Sequence, residues 1–238
     1  MKRTETYCIF DTETPGVVEP SIYDLGYTIY NGTEIILTRS YLIKEVWENK
    51  EKMNSAYYKE KIPKYEELLK EGKTEVKPFM WVLRKWYADL YDHEVNNMCA
   101  YNLAFDLRAV KYSLETQGLS TSIYNFIFGG KRLIDLWLNS ANILFTTSDF
   151  KEFVHENNHY TEKGNRKGTA EVAYQFITND LHFIEDHMAL SDAIIETKIL
   201  HELLERGEPI QYGVKGYIWS IYNQDIIEQK KINIQGRI

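Results

Sequence analysis

At 238 residues and 28.1 kDa, with 44% hydrophobic residues, the chain is long enough for one sizeable core. Its net charge of −7, from 28 Lys and Arg against 35 Asp and Glu, counts against a nonspecific nucleic-acid coat, which needs a broadly basic surface. Two cysteines, Cys8 and Cys99, cannot make a disulfide framework, and no stretch approaches the roughly 20 apolar residues of a membrane span.

The chain begins MKRTETYCIF, and the apolar run of four residues meets Asp11, too short for a secretory signal. A reduced, soluble, cytoplasmic protein with no membrane contact is expected. Residues 5-ETYCIFD-11 read as a strand, and 22-IYDLGYTIYNGTEIILTRSYLI-43 as a hairpin turning at Asn31-Gly32. A long polar segment, about 44–78, carries helical fragments broken at Pro63, Gly72 and Pro78. Apolar residues Phe79, Val82, Leu83, Trp86 and Leu90 then predict a helix over 79–94.

From here strands and helices alternate. The run 97-NMCAYN-102 leads into a helix over 103–118 that closes on Gly118. A second run, 131-KRLIDLW-137, leads into 138–145 and a polar helix from about Ser148 to Glu156. Residues 157–168 read as a flexible basic loop, 169–177 as an apolar run, and about 188–206 as the last strong helix. Hairpin strands followed by strand–helix units imply an α/β fold whose mixed sheet is covered on both faces.

Chemistry begins at 9-IFDTETPG-16. In a strand the side-chain period is two, so Asp11 and Glu13 share a face, with Cα atoms about 6.5–7 Å apart. At an effective dielectric of about 20, unit charges about 4 Å apart repel by roughly 4 kcal/mol, a cost that a divalent cation between them reverses. Asn102 and Asp106 stand four apart at a strand-to-helix junction, where Asn102 is placed to cap the helix and Asp106 lies one turn on. Taken alone, this pair reads as a cap and a first-turn acid favoured by the helix dipole. His187 and Asp192 open the last helix as HMALSD; they converge only if His187 precedes the helix and folds back, because five helical steps would turn them about 140° apart. Ala189 and Ala193 would let this helix sit close to the sheet.

Together DTE, NLAFD and HMALSD resemble the DEDDh 3′–5′ exonucleases of the DnaQ-like, ribonuclease H-like superfamily. That family's pattern is D-x-E, then Asn and Asp four apart with Phe before the Asp, then H-x-A-x-x-D. Met188 stands where a tyrosine would mark the sister group. The resemblance covers about residues 5–205, and the segments about 44–78 and 146–182 are similar to insertions of small stand-alone phage-type members. It implies a ribonuclease H-like mixed five-stranded sheet, an exonuclease domain over 1–206, and an extension, 207–238, that matches nothing nameable.

The resemblance further implies two divalent ions, Mg²⁺ or Mn²⁺, held by Asp11, Glu13, Asp106 and Asp192, with Asp11 bridging both. His187 would be the general base. Thr12, Thr14, Asn102 and Phe105 would hold the terminal nucleotide, and the products would be nucleoside 5′-monophosphates. The partner is a nucleic acid with a free 3′ end, DNA favoured over RNA; strand preference, pathway and any replication or recombination partner proteins are not readable.

A non-catalytic end-binding module of the same fold would be expected to lack a carboxylate or the histidine, and all five are present. The stretch 155-HENNH-159 fits the HExxH pattern of zinc peptidases, but two asparagines lie inside it and no third ligand is evident. Gly72-Lys73-Thr74 lacks the earlier glycine of a P-loop, since Glu67 stands there. Asp135 reads as a helix cap, and 163-KGNRKG-168 as a solvated loop within reach of a substrate backbone.

Overall fold

A computed structural model describes residues 5–235. Its strands are β1 (Tyr7–Glu13), β2 (Asp24–Tyr30), β3 (Ile35–Ile43), β4 (Glu75–Lys77), β5 (Asn97–Ala100) and β6 (Arg132–Asp135). They form one sheet in the order β4-β3-β2-β1-β5-β6. β1, β2 and β3 are antiparallel neighbours, whereas β5 runs parallel to β1, β6 to β5 and β4 to β3. The sheet therefore has six strands, not the predicted five. The extra one is β4, a three-residue edge strand inside the polar segment, too short to show alternation.

The helices are α1 (Lys44–Trp47), α2 (Lys50–Asn54), α3 (Ile62–Lys70), α4 (Phe79–Asp92), α5 (Leu103–Thr116), α6 (Ser122–Phe128), α7 (Leu136–Ile143), α8 (Ser148–Glu156), α9 (Ala170–Thr178), α10 (Ala189–Glu205) and α11 (Gln224–Gln235). None among the described residues is long and apolar enough to cross a membrane. The β2–β3 hairpin turns through four residues, not two. Asn31 Oδ1 accepts from the amides of Thr33 and Glu34, both at 2.9 Å, which fixes the longer loop.

Strand alternation divides the core into two layers. On β1, Cys8 and Phe10 pack with Trp86 of α4 and with Val110 and Leu114 of α5, while Tyr7 and Ile9 pack with Ala193 and Ile199 of α10. Fully burying an apolar side chain stabilises by about 1.5–3 kcal/mol, so both layers hold β1 in register. Asp11 and Glu13 extend the α10 layer, and Thr12 points to α5.

Two packing details bring α10 to the site. Gly26 pairs with Asp11 across β1–β2, and a Cβ there would lie 2.1 Å from the amide nitrogen of Leu190. The helix start thus rests directly on strand backbone. Asp24 Oδ2 accepts from the first helical amide, Ala189 N, at 3.0 Å and from Tyr65 Oη at 2.7 Å. Tyr65 lies on α3, so the 44–78 segment packs onto the sheet end through a small core of its own with Tyr23, Leu42, Met53 and Met188.

The segment after residue 206 also packs onto the body. Gly213 N donates to Leu133 O at 2.7 Å, Asn139 exchanges hydrogen bonds with Gln211, and Ile218 and Tyr222 are buried in the α10 layer.

Candidate active site

At the carboxyl ends of β1 and β5 a cleft of about 780 Å³ opens, and every site residue predicted above lines it. Ligands of open α/β sheets collect at this edge because helix starts and strand ends meet there.

The carboxylates come from three elements. Asp11 and Glu13 stand at the end of β1. Asp106, 1% exposed, lies on the first turn of α5, and its Oδ1 accepts from Thr12 N at 3.0 Å and Thr12 Oγ1 at 2.7 Å. Thr12 therefore locks α5 to the strand that carries the other two acids. Asp192, 4% exposed, lies on the first turn of α10, and its Oδ1 is buried with no hydrogen-bond partner among the described residues. Ligating atoms of Glu13, His187 and Asp192 lie within 4.8 Å of one another.

The electrostatics follow from this crowding. Burial, with Asp106, Glu13 and Asp192 nearby, holds Asp11 well above the usual carboxylate range. Burial and then Asp192 push Glu13 up to about 9, with Lys61 opposing. Burial and Glu185 raise Asp192 to about 8, and burial raises Asp106 to about 7 against the hydrogen bonds from Thr12. A cation among the oxygens would favour their charged forms at neutral pH. All-oxygen donors suit a hard divalent ion, and the unpartnered Asp192 Oδ1 is a free acceptor for one.

His187 lies ahead of α10, as convergence with Asp192 requires. It adopts a left-handed backbone with φ 49°, and Met188 precedes the first helical residue. Its ring stacks on Tyr58, with centroids 4.8 Å apart and planes 14° apart, and Nδ1 lies 3.8 Å from Glu185 Oε2. Lys61 Nζ donates to the carbonyls of Asp186 and, at 3.5 Å, His187. Burial and the Lys61 charge lower the His187 pKa, so its neutral form prevails at neutral pH.

Asn102 departs from its expected capping role. It takes a left-handed conformation with φ 62° and makes no side-chain cap, leaving its exposed amide on the cleft rim beside Phe105. The Thr14 hydroxyl is used within its own turn, donating to Gly16 O at 3.1 Å.

Three cleft residues, Tyr58, Glu185 and Glu196, lay outside the sequence reading, as did Lys61, which holds the loop of His187. Glu196 Oε2 accepts from Tyr101 N at 3.1 Å, and burial with the Asp106 and Asp192 charges holds it well above its usual pKa. Its spacing of four from Asp192 was the available signal; the others have no local one.

α8 ends at Glu156 and Asn158 turns left-handed, so His155 and His159 share no helix face; His159 stacks on Phe153 instead. Asp135 caps α7, Oδ1 accepting from Trp137 N at 3.0 Å and Leu138 N at 3.2 Å. The 163–168 loop is not merely solvated, because Arg166 ion-pairs with Asp225 at 2.7 Å.

The sequence matches no protein-family model and no curated protein. Among solved structures it is similar to the crystal structure of cell-death related nuclease 4 (CRN-4), with a TM-score of 0.53 and 12% identity over 88% of this chain and 67% of that one. At that identity the likeness speaks to architecture, and with the mixed sheet and its two helical layers it assigns the chain a ribonuclease H-like α/β fold.

Proposed function

We propose that this chain is a metal-dependent 3′–5′ exonuclease of the DEDDh type. One observation carries the reading: acids and a histidine from three stretches, separated by about 90 and 80 residues of sequence, meet in one cleft, where burial and mutual repulsion raise the acids above the usual carboxylate range. The fold neighbour is by its name a nuclease, which supports the same class. Kinship with the phage-type members rests on the motifs and insertions alone.

Asp11, Glu13, Asp106 and Asp192 would hold two divalent ions, Mg²⁺ or Mn²⁺, with Glu196 and Glu185 behind them. Ions bound there would lower the pKa of water and neutralise charge on a phosphodiester in displacement. The chain's own part is positional and acid–base. Thr12 fixes Asp106, Tyr58 and Lys61 fix the loop of His187, and the neutral imidazole takes a proton. Asn102 and Phe105 on the rim, with the backbone around Thr12, would hold the terminal nucleotide.

The test is an end-labelled panel of single- and double-stranded DNA and RNA with Mg²⁺, Mn²⁺ or chelator. Mononucleotides released from the 3′ end with metal and absent in chelator are expected. Cleavage that survives chelator, or begins internally, overturns the reading, and binding of ends without turnover under any condition would favour the end-binding module.

A further inference from the structure

A second cavity, about 530 Å³, adjoins the carboxylate cleft and shares Trp137, Gly168 and Thr169 with it. Its outer wall comes from the two parts of the chain that the motifs leave unexplained, the loop over 161–169 and the segment after residue 206. These are locked into one body. Arg166 Nη1 and Nη2 donate to Asp225 Oδ1 and Oδ2 at 2.8 and 2.7 Å, and Arg166 N donates to Asn223 Oδ1 at 2.8 Å. Lys230 Nζ reaches Lys163 O at 2.7 Å and Asn165 Oδ1 at 2.8 Å. The Arg166 charge holds Asp225 down at about 2. At the junction with the cleft a Cβ on Gly168 would lie 2.5 Å from Tyr222 Oη, so only glycine lets the tail approach the loop this closely.

What this body presents differs from the rest of an acidic protein. Arg166 and Lys230 are used internally, which leaves Lys163 and Lys167 exposed on the cavity with no ion pair among the described residues. Two tryptophans line the same cavity: Trp137, which it shares with the cleft, and the exposed Trp219, 39% accessible. Cationic side chains beside aromatic faces are how proteins track a single strand, phosphates on the charges and unstacked bases on the rings. A duplex would keep its bases stacked and offer the tryptophans nothing.

We propose that this cavity is the track for the single-stranded segment immediately 5′ of the terminal nucleotide, with Trp219 stacking a base and Lys163 and Lys167 on backbone phosphates. The proposal rests on the exonuclease reading for its direction. It gives the 207–235 segment a role: building the substrate path.

The test uses the full chain and a fluorescent single-stranded oligonucleotide, with Ca²⁺ replacing Mg²⁺ so that binding is measured by anisotropy without turnover. Trp219→Ala should weaken binding about tenfold and Trp219→Phe should restore most of it. The double variant Lys163→Ala/Lys167→Ala should make the slope of log K against log salt shallower by about 1.4, two phosphates' worth. With Mg²⁺, the ratio of kcat/KM on the oligonucleotide to that on the p-nitrophenyl ester of thymidine 5′-monophosphate, which needs only the cleft, should fall about tenfold for Trp219→Ala. Parent-like binding and salt slope in both variants, equal loss in Trp219→Ala and Trp219→Phe, or no single-strand binding by the parent would each overturn the track. Weakened binding in variants of a parent that hydrolyses nothing would keep the track and remove the exonuclease reading; hydrolysis with parent-like binding in the variants would do the reverse.

Discussion

The wall of the cleft that carries Asp11, Glu13, Asp106 and Asp192 is made of β1, α5 and α10, whereas the second wall, His187 and Tyr58 with Lys61 behind them, is made of loop backbone and the 44–78 segment. On the first wall each acid is placed by an element whose own position is fixed by buried apolar contacts and by single close approaches such as Gly26 under Leu190. On the second, His187 sits in a left-handed conformation that costs a non-glycine residue on the order of 1–3 kcal/mol and must be held from outside, by the Tyr58 ring and the Lys61 ammonium. The difference teaches where each wall is vulnerable. Asp11 can be removed without loosening the fold, whereas Asp106 also ties α5 to β1 through Thr12, and the histidine can be displaced by changes that never touch it chemically.

The largest effect expected is on the acid wall. Asp11→Ala should abolish turnover while metal-free thermal stability holds or rises, because the substitution removes a crowded carboxylate and no side-chain hydrogen bond among the described residues. A large drop in the metal-free melting temperature would instead make Asp11 structural and erase the contrast between the walls.

The same wall predicts a pH dependence of stability. Glu13, Asp192 and Asp106 are raised to about 9, 8 and 7, above the usual carboxylate range, so between those values and about pH 4 the folded chain binds more protons than the unfolded chain. Stability without metal should therefore fall as pH rises through this window. Added Mg²⁺ or Mn²⁺ should raise the melting temperature most at the alkaline end. Thermal unfolding from about pH 5 to about pH 9, with and without metal, checks this; a flat metal-free profile would mean that the acids do not carry the strain assigned to them.

On the second wall, His187→Ala should slow hydrolysis by roughly 10²–10⁴-fold, the usual worth of general acid–base catalysis, and leave the metal-induced rise in melting temperature near that of the parent. Asp192→Ala should lose both. A His187→Ala variant that kept the parent's rate and pH profile would remove the base from the mechanism.

Legibility in the sequence followed the same division. Alternation in IFDTE put Asp11 and Glu13 on one face, and the junctions at Asn102 and HMALSD put Asp106 and Asp192 on first turns, because helix starts and strand ends leave local marks. What was not legible depends on distant partners. The Thr12–Asp106 hydrogen bonds span 94 residues, Lys61 meets His187 across 126, and β4 is recognisable only by its pairing with Tyr41, Leu42 and Ile43. Asn102 misled because its residue type suits a cap, yet its backbone turned left-handed and its side chain was left free. The Arg166–Asp225 pair, which turns the basic loop and the tail into one body, was equally invisible to local reading.

The smallest effect separates positioning from catalysis on the second wall. Tyr58 stacks on the His187 ring, and a stacked aromatic pair contributes about 0.5–1.5 kcal/mol, so Tyr58→Ala should lower kcat by about two- to tenfold with little change in KM or in metal-induced stabilisation. Tyr58→Phe keeps the ring and should keep the rate. If Tyr58 acts only by holding the imidazole, its loss should be silent once the imidazole is gone, and Tyr58→Ala/His187→Ala should be no slower than His187→Ala alone. A double variant slower by the product of the two effects would show that Tyr58 touches the nucleotide itself, and the 44–78 segment would then belong to the substrate site and not to the support of the histidine.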